Sequence, residues 1–288
     1  MSPNSEDLKA DVVGLLRKYD LKPQKGLGQN FLISDSALKK IIQAADILTN
    51  DAVLEIGPGL GALTRYLAKA SRRVVAVELD NRLLLPLKES IGKSSNVTVL
   101  HGDILDCDVS KVMRGEEGYV VVANIPYYIT SAVIRHLLTA AIRPRSITLT
   151  VQEEVAERIC EGAGKHSLLS LGVQVFGQPE IRARIPAGAF YPPPKVDSAV
   201  VHVELFERPL VDAEGIEDFF MVARAGFSQK RKNLRNSLSG GLGLAKEAVE
   251  SLLLQAGIDS GRRAQTLSIS EWLLVAEAYR DARGPSLR

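Results

Sequence analysis

The feature that most restricts the fold is the stretch from residue 52 to residue 151, where short apolar segments alternate with longer amphipathic ones. Val53-Leu-Glu-Ile56 reads as a strand ending at Gly57, and Leu60 to Ala70 carries a helical stripe. Arg73 to Glu78 is a second strand, followed by a helix around 81–91. Val97 to Leu100 and Tyr119 to Ala123 are the third and fourth strands, and a helix over 130–141 leads to a fifth, Ser146 to Val151. Strands joined through helices run parallel, and the helices cover both faces of their sheet. The fold class is therefore α/β, a doubly wound, Rossmann-like parallel sheet. Two later segments alternate strictly: Ile181, Ala183 and Ile185 share one face, as do Ala199, Val201, Val203 and Leu205. That pattern predicts a half-exposed antiparallel pair at one sheet edge.

Before the sheet, Leu8, Val12, Leu15 and Leu16 form a helical stripe over residues 5–18, and Lys22 to Leu32 reads as a loop. Ser34 is placed to cap a helix that carries Leu38, Ile41, Ile42 and Ala45. A helix over 167–176 precedes the alternating pair. Beyond Glu207-Arg-Pro only helices are expected, near 213–225, 230–238, 245–256 and 270–282. Gly257 would close the third of these, and Ser268-Ile-Ser-Glu271 is a capping box for the last. A change of texture at residue 207 predicts two domains, 1–206 and 207–288.

Composition narrows the function classes. Apolar runs such as Tyr119 to Ala123 and Trp272 to Ala276 reach five residues, whereas a membrane-spanning helix needs about 20. No membrane segment or secretory signal is expected, and the location expected is the cytoplasm. Cys107 and Cys160 are too few for a disulfide framework, and His101, His136, His166 and His202 lie too far apart in sequence for a zinc pair, so no metal is expected. The formal charge is +2, yet no acidic residue lies between Asp218 and Glu247. Arg224, Lys230, Arg231, Lys232, Arg235 and Lys246 fall in that interval, a basic face suited to phosphates.

Chemistry gathers at the carboxyl ends of the strands, where open α/β sheets bind ligands. In Gly57-Pro-Gly59-Leu-Gly61-Ala62, glycines permit a tight turn and close backbone approach, and a helix N-terminus offers free N–H groups. Glu78 follows Gly57 by 21 residues and can accept both hydroxyls of a ribose. A dinucleotide and S-adenosylmethionine fit these features almost equally. Asp103, after the third strand, can accept from the amine of an adenine ring. The fourth strand ends in Asn124-Ile-Pro-Tyr127, which presents an amide, a proline-fixed backbone and an aromatic ring together.

An ordered set of motifs then resembles one family along nearly the whole chain. They are Gly28-Gln-Asn-Phe-Leu32, Glu55-Ile-Gly-Pro-Gly-Leu-Gly61, Val77-Glu-Leu-Asp80, Gly102-Asp103, Asn124-Ile-Pro-Tyr127 and the segment Phe190-Tyr-Pro-Pro-Pro-Lys-Val-Asp-Ser198. Gln152 to Arg158, Phe227 to Asn236 and Arg262 to Ser268 extend the likeness. The chain is similar to the small-subunit ribosomal RNA adenine dimethyltransferases, with Ile125 where the family commonly has leucine.

The resemblance implies a class I methyltransferase whose cofactor, S-adenosylmethionine, is held by Gln29, Asn30, Leu32, Gly57, Gly59, Glu78, Asp103 and Asn124. It leaves as S-adenosylhomocysteine, and no metal takes part. It implies a catalytic set of Asn124, Pro126, Tyr127 and Phe190. Asn124 and the Ile125 carbonyl would hold the amine of an adenine while Tyr127 and Phe190 cover its faces. A base reaches such a pocket only when unstacked. The implied partner is small-subunit (16S) rRNA on an immature 30S subunit, methylated at two adjacent adenosines of a 3′-terminal hairpin loop. Lys195, Arg224, Lys230, Arg231, Lys232 and Arg235 would track its backbone, and a monomer is expected. The competing readings are a large-subunit rRNA methyltransferase of the resistance type, a nicotinamide dehydrogenase, and an assembly factor without catalysis.

Overall fold

A computed structural model describes residues 5–126 and 129–284. The chain divides into two compact units, one of Met1–Ala156 with Pro179–Leu205, the other of Glu157–Gln178 with Phe206–Arg288.

The first unit begins with α1 (Ser5–Lys18), β1 (Phe31–Leu32) and α2 (Asp35–Ala44). It continues with β2 (Ala52–Ile56), α3 (Ala62–Ala70), β3 (Arg73–Glu78), α4 (Leu84–Ile91), β4 (Val97–His101) and α5 (Val109–Val112). Next come β5 (Val120–Asn124), α6 (Thr130–Leu138), β6 (Ser146–Gln152) and the start of α7 (Glu153–Cys160). After α8 (Leu168–Gln174) follow β7 (Gly177–Ile185), β8 (Phe190–Tyr191) and β9 (Ser198–Leu205).

Seven strands form one sheet in the order β4-β3-β2-β5-β6-β9-β7, while β1 and β8 pair apart from it. Neighbours from β4 to β6 run parallel. β9 returns antiparallel to β6, with Ile147 opposite Val203 and Thr150 opposite Val200. β5 reads Val-Val-Val-Ala-Asn because residues 120–123 are buried on both faces, as a central parallel strand requires. Val53, Val74, Val120, Val122 and Val200 share one face with Leu38 and Ile41 of α2 and with Leu63 and Leu67 of α3. Ser34 starts α2 as expected, its hydroxyl accepting from the Ala37 N–H at 3.3 Å.

One expectation for the sheet edge does not hold. β9 is buried on both faces from Ser198 to Val203, not half exposed. It lies one strand in from the edge, and α2 packs over it. Its one basic residue there, His202, is accommodated by a hydrogen bond between its Nδ1 and Thr148 Oγ1 at 2.9 Å, and burial lowers its pKa.

The second unit holds α8 with α9 (Ile216–Phe227), α10 (Leu234–Leu242), α11 (Lys246–Gln255) and α12 (Ile269–Arg283). The Ser268–Glu271 capping box is present at the head of α12. Trp272 is its buried centre, and a side chain at Gly226 would strike the indole at 2.3 Å. Residues 157–178, which the sequence assigns to the first domain, belong with these helices. The Phe176 ring stacks on Phe220 at 6.3 Å, the Phe206 N–H donates to the Phe176 carbonyl at 2.9 Å, and the His166 N–H donates to the Gln265 carbonyl at 3.2 Å. No described helix is long and apolar enough to cross a membrane.

Candidate active site

The carboxyl ends of β2 to β5 and the loop before β1 enclose a cavity of about 220 Å³, and α1 adds Val12 to its wall. Gly57, Gly59 and Gly61 all take left-handed backbone angles, φ +68°, +59° and +80°. A side chain on Gly59 would also meet the Phe31 ring at 3.1 Å, so this turn needs glycine for space as well as for its angles.

Glu78 ends β3 and is buried, yet both carboxylate oxygens are engaged. Oε2 accepts from the Gly59 N–H at 2.9 Å and Oε1 from the Asp80 N–H at 2.8 Å. Burial raises its pKa in spite of these bonds. Asp80 is held below the usual carboxylate range by the Arg82 guanidinium beside it. It also accepts from Gln29 Nε2 at 2.8 Å, which ties the N-terminal loop to the end of β3. Asp103 lines the cavity from its own turn, where Oδ1 accepts from the Leu105 N–H at 2.9 Å.

Asn124 closes β5. Its Nδ2 donates to the Asn30 carbonyl at 3.2 Å, and Asn30 Nδ2 donates to the Gly28 carbonyl at the same distance. The Asn124 amide nitrogen is thereby given a donor role toward protein, which leaves its Oδ1 as the accepting end. Gln29, Asn30, Leu32, Gly57, Gly59, Glu78, Asp103, Asn124 and Pro126 all line the one cavity. Tyr127 lies outside the described residues.

Phe190 is elsewhere. It is 2% exposed and packs in the core with Leu32, Ile185 and Val200, opposite Leu32 in the β1–β8 pair. Phe190 itself does not line the cavity, although its strand partner Leu32 does. Lys195 is exposed on the first unit. On the second unit Arg224, Lys230, Arg231 and Lys232 are exposed, whereas Arg235 is partly buried and paired with Glu250 at 2.6 Å.

Glu55 is a wall residue that the sequence presents only as one member of a motif. It is 1% exposed, and Oε2 has no hydrogen-bond partner among the described residues. Burial pushes its carboxyl up to about 8, against the opposing pull of the nearby Thr64 hydroxyl, which itself lacks a hydrogen bond of regular geometry. An acidic residue amid an apolar strand was the available signal.

The family pattern of the ribosomal RNA adenine dimethylases matches residues 21–281. This chain belongs to the ribosomal RNA adenine dimethylase family. The dimethylase is 45% identical over 276 residues to ribosomal RNA small subunit methyltransferase A of Dehalococcoides mccartyi (strain CBDB1), covering 96% of this chain and 95% of the relative. It is 42% identical over 287 residues to the protein of that name in Pelotomaculum thermopropionicum, covering 96% and 97%. Among solved structures, a dimethyladenosine transferase from Plasmodium falciparum superposes with a TM-score of 0.73 at 26% identity, covering 85% of this chain and 95% of the other. The 23S rRNA methyltransferase ErmE superposes at 0.68 and 29% identity, covering 86% and 99%.

The dimethylase family uses S-adenosylmethionine, and the cavity suits that group. Buried carboxylates face a ligand that carries hydroxyls, an amine and positive charge, and the glycine turn leaves space that Cβ atoms would fill. Glu55 adds a further polar group to the same wall.

Proposed function

We propose that this dimethylase methylates the exocyclic N6 amines of two adjacent adenosines in the 3′-terminal hairpin loop of 16S rRNA. On this reading it acts as a cytoplasmic monomer on the immature 30S subunit, late in its assembly. The observation that carries the reading is the Asn124 amide, on the cavity wall at the end of β5 with its nitrogen committed to the Asn30 carbonyl.

When bound, S-adenosylmethionine supplies a methyl group on a positive sulfonium and becomes neutral S-adenosylhomocysteine. Glu78 accepts from the ribose hydroxyls and Asp103 from the adenine amine of that cofactor. Gln29, Asn30 and Leu32 close over it, and Gly57 and Gly59 let the backbone approach. For the target base, Asn124 Oδ1 and the Ile125 carbonyl accept the two amine hydrogens. That turns the nitrogen lone pair out of conjugation and toward the methyl group, so the chain contributes positioning and electrostatics. Pro126 fixes the backbone beside them, and Tyr127 is assigned to stack on the base. Each transfer releases one amine proton to solvent, and for the second the singly methylated amine presents its remaining hydrogen to the same acceptors. Lys195, Arg224, Lys230, Arg231 and Lys232 engage RNA phosphates, with Arg235 contributing less because Glu250 already neutralises it.

The test is transfer of labelled methyl from S-adenosylmethionine to small and, separately, large ribosomal subunits, followed by digestion to nucleosides. Dimethyladenosine from small subunits alone is the expected result. The likeness to ErmE favours a second reading, methylation of large-subunit rRNA, and label in that subunit would establish it. Cofactor binding with label in neither subunit would leave an assembly factor.

A further inference from the structure

Thr150 lies on β6 directly opposite Asn124 of β5, and the pair are register partners in a parallel ladder. Register partners point to the same face of a sheet, across strands about 4.8 Å apart. The face is fixed independently. Val120 and Val122, which alternate with Asn124, share a core cluster with Val200, the β9 partner of Thr150. Thr150 is 0% exposed, and its hydroxyl has no hydrogen-bond partner among the described residues.

A buried hydroxyl without a partner is destabilising, so such groups call for a state in which they are used. On this face of β6, Thr148 is answered by His202. The Ser146 hydroxyl is unpartnered too, but it lies at the far end of the strand, opposite Val120. Thr150 alone of the three is beside a residue of the cavity. Asn124 has one amide hydrogen on the Asn30 carbonyl and a second to place.

We infer that Thr150 is a positioning residue for methyl transfer: its hydroxyl accepts the second amide hydrogen of Asn124. With both hydrogens of Nδ2 held by protein, the amide plane is fixed and Oδ1 is presented to the substrate amine. The inference rests on the role given to Asn124 above, and extends it to a side chain that does not line the cavity.

The experiment compares Thr150→Val, Thr150→Ser and Asn124→Ala in the full-length protein, by steady-state methyl transfer to small subunits, cofactor-product binding and thermal denaturation. Thr150→Val keeps shape and removes the hydroxyl. Its kcat is expected to fall about five- to tenfold, with the S-adenosylmethionine KM unchanged and the melting temperature equal or higher. Thr150→Ser is expected to restore kcat. Full activity in a stabilised Thr150→Val would overturn the inference, showing an orphaned hydroxyl with no role. Equal losses in Val and Ser variants would also overturn it, since packing would then be responsible. Activity in Asn124→Ala would instead remove the reading of the site itself.

Discussion

Gly28 and Pro126 approach so closely that a methyl group on Gly28 would lie 2.8 Å from Pro126 Cβ. The loop that carries Gln29, Asn30 and Leu32 is thereby seated on the turn that follows Asn124. Gly28 also has φ +60°, an angle that costs an L-residue about 1–2 kcal/mol. Gly28→Ala is expected to lift this loop and weaken S-adenosylhomocysteine binding about tenfold or more, as losing the loop's hydrogen bonds to the ligand would. Calorimetric titration checks it, and unchanged affinity would count against the loop as a cofactor clamp.

Asn124 is assigned to the transition state more than to the cofactor. Asn124→Ala should keep S-adenosylhomocysteine affinity within about tenfold while turnover drops about a hundredfold or more, the usual effect of losing one aligned polar group. Single-turnover methyl transfer beside equilibrium binding separates the two. Parallel losses would make Asn124 a cofactor residue only.

Glu55 predicts a dependence of stability on pH. Its carboxyl titrates at about 8 in the fold against an ordinary 4.5. Between those values the folded state keeps a proton that the unfolded chain has released, so the contribution of Glu55 declines as pH rises through that window. Glu55→Gln removes the titration. The variant should gain stability over the parent progressively from about pH 5 to about pH 8, and denaturant midpoints across that range measure the gain. A constant difference would show that the carboxyl is not the source.

The basic run of the second unit makes a separable prediction. Replacing Lys230, Arg231 and Lys232 by glutamine should weaken rRNA binding and flatten its salt dependence, by about 0.7–0.9 in log–log slope for each phosphate no longer neutralised. Cofactor affinity should not change. Arg235→Gln should also lower stability, because it breaks the ion pair from α10 to Glu250 of α11. Filter binding at several salt concentrations, with melting curves, distinguishes these effects.

Most of the sheet was legible because its signals are local: apolar segments of strand length, glycines where the chain turns, and Ser34 and Ser268 as caps. What escaped depends on neighbours distant in sequence. β9 alternates like an exposed strand, but Thr148 and α2 cover the face that holds His202. Residues 157–178 precede a strand of the sheet and so read as part of the first domain, until Phe220 and Gln265 are seen to claim Phe176 and His166. The residues assigned to the cofactor came from motif order, and the cavity gathers all of them. Phe190, assigned to the base, packs in the core, and an aromatic before a proline run looks the same in sequence whether it packs inward or faces a ligand.

Glu78 already holds the glycine turn through Gly59 and the start of the next segment through Asp80. It is a buckle as well as the proposed ribose acceptor. An engineer who wished to make this enzyme accept sugar-modified methyl donors would find that reshaping the pocket at Glu78 loosens the backbone that forms it. Asp103, whose hydrogen bond to the Leu105 N–H stays within its own turn, is the freer place to begin, so redesign for altered donors should start there, at the residue proposed to hold the purine.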